Sequence, residues 1–539
     1  MWYNESVFYH IYPLGLFGAE KQNPYGEVNH RLRKLTPWIT HIKNLGCNAI
    51  YIGPLFESVG HGYETTDYRK VDSRLGDNQD LKDFVRTCHE NNIHVILDGV
   101  FNHTGRDFFA FKDIRESREN SQYKDWYQNV NFWGNNEYND RFSYDNWGGY
   151  NLLAKLNLKN PAVRDYLLDT VRFWVEEFDI DGLRLDAADV LNFDFMRALR
   201  HLADEVKPEF WLMGEVIHGD YSRWVNEGTL HSVTNYQLHK AFYSSHNDHN
   251  YFELAHTVKR LNSLLNNDFK LYSFVDNHDV ERIYTKLSNK ADFLPVHVLL
   301  YSLPGIPSIY YGSEFGIEGK KEKYSDDSIR PQIDLEEINQ GEFAQRAKLI
   351  SILGKAREKL PQLSYGDYQE KALTTTAYMF TRTVSDSSCI VCANNSDSQQ
   401  NLNGSGIMDG EYFGVLSGEK IVVSGGYVSV NIYPHSAEIY APKDIPLEKI
   451  KLNLKQISEE NERKAQEIKK EKEISQKNFN ENLPNIENRT DYENMNVDEL
   501  HAVILAKMAK NGEVTDYMRK TVFDNNHVPS LIGWARSFR

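Results

Sequence analysis

Along the first 315 residues, short apolar runs rich in β-branched and aromatic residues alternate with stretches of helical periodicity. Repeated βα units around a parallel sheet make this pattern. Eight runs read as strands: Val7–Tyr12, Asn48–Ile52, His94–Asp98, Gly182–Asp186, Trp211–Val216, Val233–Gln237, Leu271–Val275 and Pro307–Tyr311. Eight such units predict an α/β fold, a closed TIM-type (β/α)8 barrel. The clearest helix lies between the third and fourth strands. After Pro161, residues Val163, Tyr166, Leu167, Val171, Trp174, Val175 and Phe178 recur on one face.

The rhythm lapses from His103 to Leu156, where aromatic, Asn, Asp and Gly residues crowd together, among them Trp126, Phe132, Trp133, Phe142, Tyr144, Trp147 and Tyr150. A long irregular connection leaving the C-terminal end of a barrel strand is usually functional, so this is read as an inserted subdomain after strand three. From Leu363 to Ala441, runs such as Ala377–Arg382, Ile407–Val415 and Gly426–Ile432 predict a small antiparallel β domain. The predicted division is a barrel over 1–102 and 157–362, an insertion over 103–156, a β domain over 363–441 and a charged helical extension over 442–539. In that extension Leu447 to Lys477 is rich in Lys, Glu and Gln. Ile450, Leu454 and Ile457 keep helical spacing only for its first turns, too briefly for a sustained coiled coil. Further on, Asn496 and Glu499 form a capping-box start to a helix Asp498–Lys510, closed by Gly512. The extension is uninformative about chemistry; self-association, docking to a protein partner or an unstructured tail are the expected alternatives.

Composition narrows the partners. A formal net charge of −16 disfavours nucleic acid and anionic membrane, and leaves a neutral ligand unaffected. Aromatic residues reach 13%, flat faces that suit sugar rings and also fill cores. No window approaches a membrane span and the N-terminus lacks a signal-peptide pattern, so the expected location is the cytoplasm. Of four cysteines, Cys389 and Cys392 stand three apart in a strand-like run and point to opposite faces, which argues against a shared metal or redox role.

Candidate chemistry collects where barrel enzymes keep it, at the C-terminal ends of strands. Asp98-Gly-Val-Phe-Asn-His103 follows strand three, Arg184-Leu-Asp186 ends strand four, Glu215 ends strand five and Asp276-Asn-His-Asp279 follows strand seven. The spacing of two in Arg184-Leu-Asp186 points both side chains into the barrel together, and the guanidinium is expected to keep Asp186 ionised. An Asp–Arg pair alone could be structural. Three further acids and two histidines without a matching set of basic residues would be costly to bury without purpose, so catalysis is the expected reading.

These segments resemble the four core motifs of the α-amylase superfamily of glycoside hydrolases, family thirteen: Asp98 to His103, Asp181-Gly-Leu-Arg-Leu-Asp186, Gly214-Glu-Val216 and Phe274-Val-Asp-Asn-His-Asp279. Supporting matches are His61-Gly-Tyr-Glu-Thr-Thr-Asp-Tyr68, Lys155-Leu-Asn157 and Gly305-Ile-Pro-Ser-Ile-Tyr-Tyr-Gly312. The resemblance covers roughly residues 1–441. It implies Asp186 as nucleophile, Glu215 as general acid/base and Asp279 as the acid that stabilises the transition state. It further implies that His103 and His278 bond sugar hydroxyls and that Tyr63 stacks on the ring, with Arg184 beside the nucleophile. Asp326 and Arg330 are expected either to clamp the next sugar outward or to form a surface ion pair. Asn102 is either a calcium ligand or a structural hydrogen-bonding group.

Two departures refine the expectation. Many calcium-dependent α-amylases carry Lys-His where this chain has Asp189 and Val190, which speaks against calcium at that position, and no cofactor is expected. Lys155-Leu-Asn157 looks closest to the neopullulanase and cyclomaltodextrinase branch, without that branch's N-terminal β domain. The expected activity is retaining hydrolysis of α-1,4 bonds in maltooligosaccharides, cyclodextrins or related short α-glucans. The alternatives are a 4-α-glucanotransferase-type transglycosylase and, in another class, an inactive sugar-binding or scaffold protein.

Overall fold

The computed structural model describes residues 1–265, 269–443, 451–486, 490–510, 516–523, 525 and 527–538. Gly512 and Ile450, singled out in the sequence, lie outside the described residues. The chain divides into two compact units, Met1–Ser458 and Glu459–Arg539.

The first unit is built on eight parallel strands: β1 Phe8–Ile11, β2 Ala49–Ile52, β3 His94–Gly99, β4 Gly182–Leu185, β5 Trp211–Gly214, β6 Ser232–Val233, β7 Tyr272–Phe274 and β8 Ile306–Tyr310. They pair in the order β6-β5-β4-β3-β2-β1-β8-β7, and a parallel bridge from Thr234 to Tyr272 closes the ring. The TIM-type barrel expected from the sequence is therefore present. Several strands are shorter than their apolar runs. The run from Val233 to Gln237 is the main correction: only Ser232–Val233 is strand. Asn235 caps the following helix by accepting the Leu238 N–H at 3.1 Å, which draws Gln237 into helix Tyr236–Asn247. Trp211–Val216 likewise stops at Gly214, so Glu215 sits one residue past the end of β5 and Asp186 one residue past β4.

The helix between β3 and β4 runs Pro161–Phe178. Asn160 accepts the Ala162 N–H at 2.9 Å, Pro161 begins the first turn, and Asp179 ends the helix in the left-handed region. Its buried face, Val163, Leu167, Val171, Trp174 and Phe178, is most of the expected apolar stripe. Inside the barrel a lower layer of large rings, Phe8, Trp211 and Tyr272 among them, fills the end away from the mouth; Phe8 and Trp211 lie 4.9 Å apart. Residues between β3 and that helix form helix Phe109–Ser117 and a three-stranded antiparallel sheet of His103–Thr104, Tyr150–Lys155 and Asn146–Trp147.

After helix Gly341–Lys359 the chain forms a six-stranded antiparallel sheet and a two-stranded ribbon. Ala377–Val384 is a strand as expected, whereas the run from Ile407 gives strand only at Gly410–Gly414. Helix Leu454–Ile486 carries the boundary between the units. The second unit has helices Val497–Lys510, Asp516–Phe523 and Val528–Ser537 around a small core of Leu500, Val503, Ile504, Val522 and Leu531. Its expected capping box is formed: Asn496 Oδ1 accepts the Glu499 N–H and Glu499 Oε2 accepts the Asn496 N–H, both at 2.9 Å. Among the described residues no helix is long and apolar enough to cross a membrane.

Candidate active site

The barrel's register sets Asp98 of β3 directly beside Arg184 of β4, and Arg184 beside Met213 of β5. Residues at one level whose side chains point inward meet over the aromatic layer. Gly53, just beyond β2, makes room for this: a Cβ there would fall 2.4 Å from that of Asp98.

Arg184 is the hub. Its Nη1 donates to both oxygens of Asp98 at 3.0 and 3.1 Å and to Asp186 Oδ1 at 3.0 Å, while Nη2 lies 2.8 Å from Glu215 Oε2. The sequence suggested a guanidinium dedicated to Asp186; the structure shares it among three carboxylates. One positive charge cannot neutralise three buried negative ones. Burial raises Asp186 well above the usual carboxylate range; Arg184 opposes this, and Glu215, Asp98 and Asp279 add to it. Burial likewise raises Glu215, with Asp279 and Asp98 adding to the shift and Arg184 opposing it. The pair Asp186 and Glu215 is thus built to retain a proton between them.

The backbone after the fourth strand takes part. Ala187 adopts φ 47 and ψ 42, a left-handed conformation rare outside glycine, and its N–H donates to Glu215 Oε2 at 3.0 Å. Strain of this kind persists where surrounding structure enforces it, often at functional sites.

Asp279 is held from the other side. Arg330 Nη2 bonds Asp279 Oδ1 at 3.0 Å and Asp326 Oδ2 at 2.9 Å, and its Nε donates to the His278 carbonyl at 2.9 Å. Arg330 and Asp326 are therefore an ion pair that also fixes Asp279. The side chain of Asp279 is 32% exposed, against 10% for Asp186 and 13% for Glu215.

The remaining expected residues come together, with one difference. Tyr63 donates to Asp98 Oδ2 at 3.1 Å, and its hydroxyl lies 2.5 Å from His278 Nε2, which is 3.1 Å from Asp279 Oδ2. The Tyr63 and His278 rings are nearly parallel, centroids 5.8 Å apart. Burial holds both His278 and His103 well below the ordinary imidazole range, His103 at about 3, so both are neutral. His103 was expected to face the sugar. Its Nε2 instead lies 3.1 Å from the Tyr63 carbonyl and its Nδ1 3.2 Å from the Asn102 amide nitrogen, which commits both ring nitrogens within the protein. Asn102 therefore orients His103. Among the described residues, His30, Asp77 and Asp80 are the group of His, Cys, Asp and Glu close enough to share one ion; neither Asp189 nor any acid at the mouth belongs to it.

Sequence reasoning did not single out Tyr51, which donates to Asp98 Oδ2 at 2.8 Å, or His10, whose ring stacks on Tyr51 at 4.2 Å. It also passed over Lys321, whose ammonium donates to the Asp279 carbonyl at 2.5 Å. For Tyr51 the available signal was its inward phase on β2, opposite Ile96.

Comparison with known proteins agrees with this geometry. The family model described as the α-amylase catalytic domain matches residues 26–351, and the chain belongs to that family of glycoside hydrolases. A cyclomaltodextrinase from Thermoanaerobacter pseudethanolicus is 33% identical over 423 residues, 74% of this chain and 71% of that protein. Neopullulanase 2 from Thermoactinomyces vulgaris is 30% identical over 465 residues, 81% of this chain and 78% of that protein. Among solved structures, the native form of a debranching enzyme from Nostoc punctiforme superposes with a TM-score of 0.73 at 27% identity, covering 82% of this chain and 98% of that one.

Proposed function

We propose that this protein hydrolyses α-1,4-glucosidic bonds of short α-glucans, maltooligosaccharides or cyclodextrins, with retention of anomeric configuration. The observation that carries the reading is the single guanidinium of Arg184 bonded to both Asp186 and Glu215. The shared guanidinium supports reading the two as a retaining pair, whose members stand about 5–5.5 Å apart, and one charge between two buried acids favours one of them keeping a proton.

In the proposed reaction Glu215 gives its proton to the glycosidic oxygen as the bond to the anomeric carbon breaks. Asp186, ionised when the proton shared by the pair resides on Glu215, attacks that carbon and forms a glycosyl ester. Glu215, now a carboxylate, takes a proton from water, whose oxygen displaces Asp186 and restores both groups. Asp279, fixed by Arg330 and His278, faces the opening with a negative charge suited to stabilising the oxocarbenium-like transition state. No cofactor enters this sequence. The names of the two relatives support the substrate class.

Three measurements test it. Asp186→Asn should lower kcat on maltotriose by at least about four orders of magnitude with folding intact; a variant retaining more than a tenth of the activity would overturn the assignment. Incubation with a fluorinated glucosyl donor should add one glycosyl unit to the Asp186 peptide by mass spectrometry. Product lengths from maltotriose separate hydrolysis from transfer: products longer than three sugars would mark a transglycosylase, and no turnover at all a binding protein.

A further inference from the structure

At the end of the barrel away from the mouth, three cations gather. Lys270 precedes β7, Arg357 lies on helix Gly341–Lys359, and Arg382 lies on strand Ala377–Val384. Both arginines are 2% exposed. Arg357 donates to the carbonyls of Tyr301 and Leu363 at 2.9 Å and of Gly305 at 2.7 Å. Arg382 donates to the carbonyls of Gly366 at 2.9 Å and Ser302 at 2.6 Å. Lys270 donates to the Ser364 carbonyl and its ammonium lies 4.2 Å from the centre of the Tyr365 ring. Among the described residues, none of the three pairs with a carboxylate.

Tyr301 and Ser302 end helix Phe293–Ser302, so its negative end accounts for the two guanidiniums being there. Carbonyls carry only partial charge, and buried cations are ordinarily matched by full ones. The groups respond accordingly: burial, reinforced by repulsion from Arg357 and Arg382 and opposed by Glu5, lowers Lys270 to about 7; burial and Arg382 lower Arg357 to about 9; burial lowers Arg382 to about 10, with Cys389 and Asp367 opposing it.

Beside them is a cavity of about 360 Å³ between helix Tyr251–Leu264, the approaches to β7 and β8, and the first hairpin of the β domain. Lys270 and Arg382 line it, with Tyr365, Tyr368 and Asn262. Arg382 Nη2 has no acceptor among the described residues, and the ammonium of Lys270 spends one of three donors. Among the described lining residues the carboxylate is Asp367, which is exposed and near enough to Arg382 to offset part of its charge.

We propose that this cavity binds a phosphate-type oxyanion between Lys270 Nζ and Arg382 Nη2, with Arg357 adding to the field. Its volume admits a hexose phosphate, whose ring would meet Tyr365 and Tyr368. The site is separate from the three acids of the mouth and stands independently of the reaction proposed there.

The test uses the full chain at pH 7, with ionic strength balanced by chloride, and follows Tm and titration heat against inorganic phosphate, glucose 1-phosphate and glucose. Phosphate or the hexose phosphate should raise Tm saturably, and chloride and glucose should not; a response confined to the hexose phosphate would identify the source as a phosphorylated sugar. Lys270→Gln should weaken binding by at least about tenfold, Asp367→Asn should tighten it, and Asp186→Asn should leave it unchanged. Should Lys270→Gln fail to fold, cyanate labelling of Lys270 in the wild-type chain should be slowed severalfold by saturating ligand. Absence of a saturable shift, equal affinity in folded Lys270→Gln, or labelling that ligand does not slow would overturn the proposal.

Discussion

The two ends of the barrel bury charge in opposite ways. At the mouth, Arg184 faces Asp98, Asp186 and Glu215, and Arg330 faces Asp279 and Asp326, so acids outnumber bases. At the far end, Lys270, Arg357 and Arg382 meet carbonyls and an aromatic ring. Excess negative charge can be relieved within the protein by binding protons, which is useful to an enzyme that must move one. Excess positive charge can be relieved by proton loss only in part near neutral pH, at Lys270, because the two arginines keep theirs. The same desolvation therefore prepares proton transfer at one end and calls for an external anion at the other.

The largest expected effect comes from removing the hub. Arg184→Met leaves three buried carboxylates without a cation and should cost about 3–5 kcal/mol of stability at pH 7, along with activity. The loss should shrink as pH falls, because protonation removes the unpaired charge. Arg357→Met at the far end removes one of three like charges as well as its carbonyl bonds, and should cost less. Urea titrations of both at pH 5 and 7 check the contrast; an Arg357 variant as damaged as the Arg184 variant, with the same pH trend, would break it.

Next is the proton itself. Glu215→Gln should lower kcat on maltotriose by about 10²–10⁴-fold, and far less on an aryl glycoside whose leaving group needs no protonation. Equal losses on both substrates would remove Glu215 from the acid role. A smaller effect is expected of Asp98→Asn. The negative charge of Asp98 raises both Asp186 and Glu215, so its removal should move both limbs of the kcat/KM pH profile to lower pH. Unmoved limbs would mean that Asp98 is too well neutralised by Arg184 and the two tyrosines to act on the pair.

The shared guanidinium is where sequence and structure part. The barrel was legible because fully buried parallel strands read as continuous apolar runs. The acids were legible because each follows such a run at the same end. Strand six misled because Ser232–Val233 is too short to carry a pattern and the cap at Asn235 starts a helix at once. The partition of Arg184 was not legible, since it depends on cross-strand register, which sets Asp98 of β3 level with Arg184 of β4. His103 was read by its motif alone; its commitment to Tyr63 and Asn102 follows from loop conformations that no periodicity records.

The smallest expected effect lies away from both ends, where a histidine is satisfied by carboxylates on two sides. His435 Nδ1 lies 2.8 Å from Asp292 Oδ1, and its Nε2 lies 2.8 Å from Asp397 Oδ1. Burial works against its charge, but the two acids overcome this and raise it above the ordinary imidazole value. A histidine raised on folding contributes stability that is fully present below its unfolded pKa, about 6.5, and that is lost as pH rises through the raised folded value. Asp292 precedes helix Phe293–Ser302 of the barrel and Asp397 follows strand Ser387–Asn394 of the β domain, so the contact joins the two. His435→Gln should therefore cost about 1–2 kcal/mol below pH 6, with the difference from wild type narrowing as pH rises toward 9. A difference in Tm that is constant across that range would show the imidazole to act by packing alone, without a charge matched to Asp292 and Asp397.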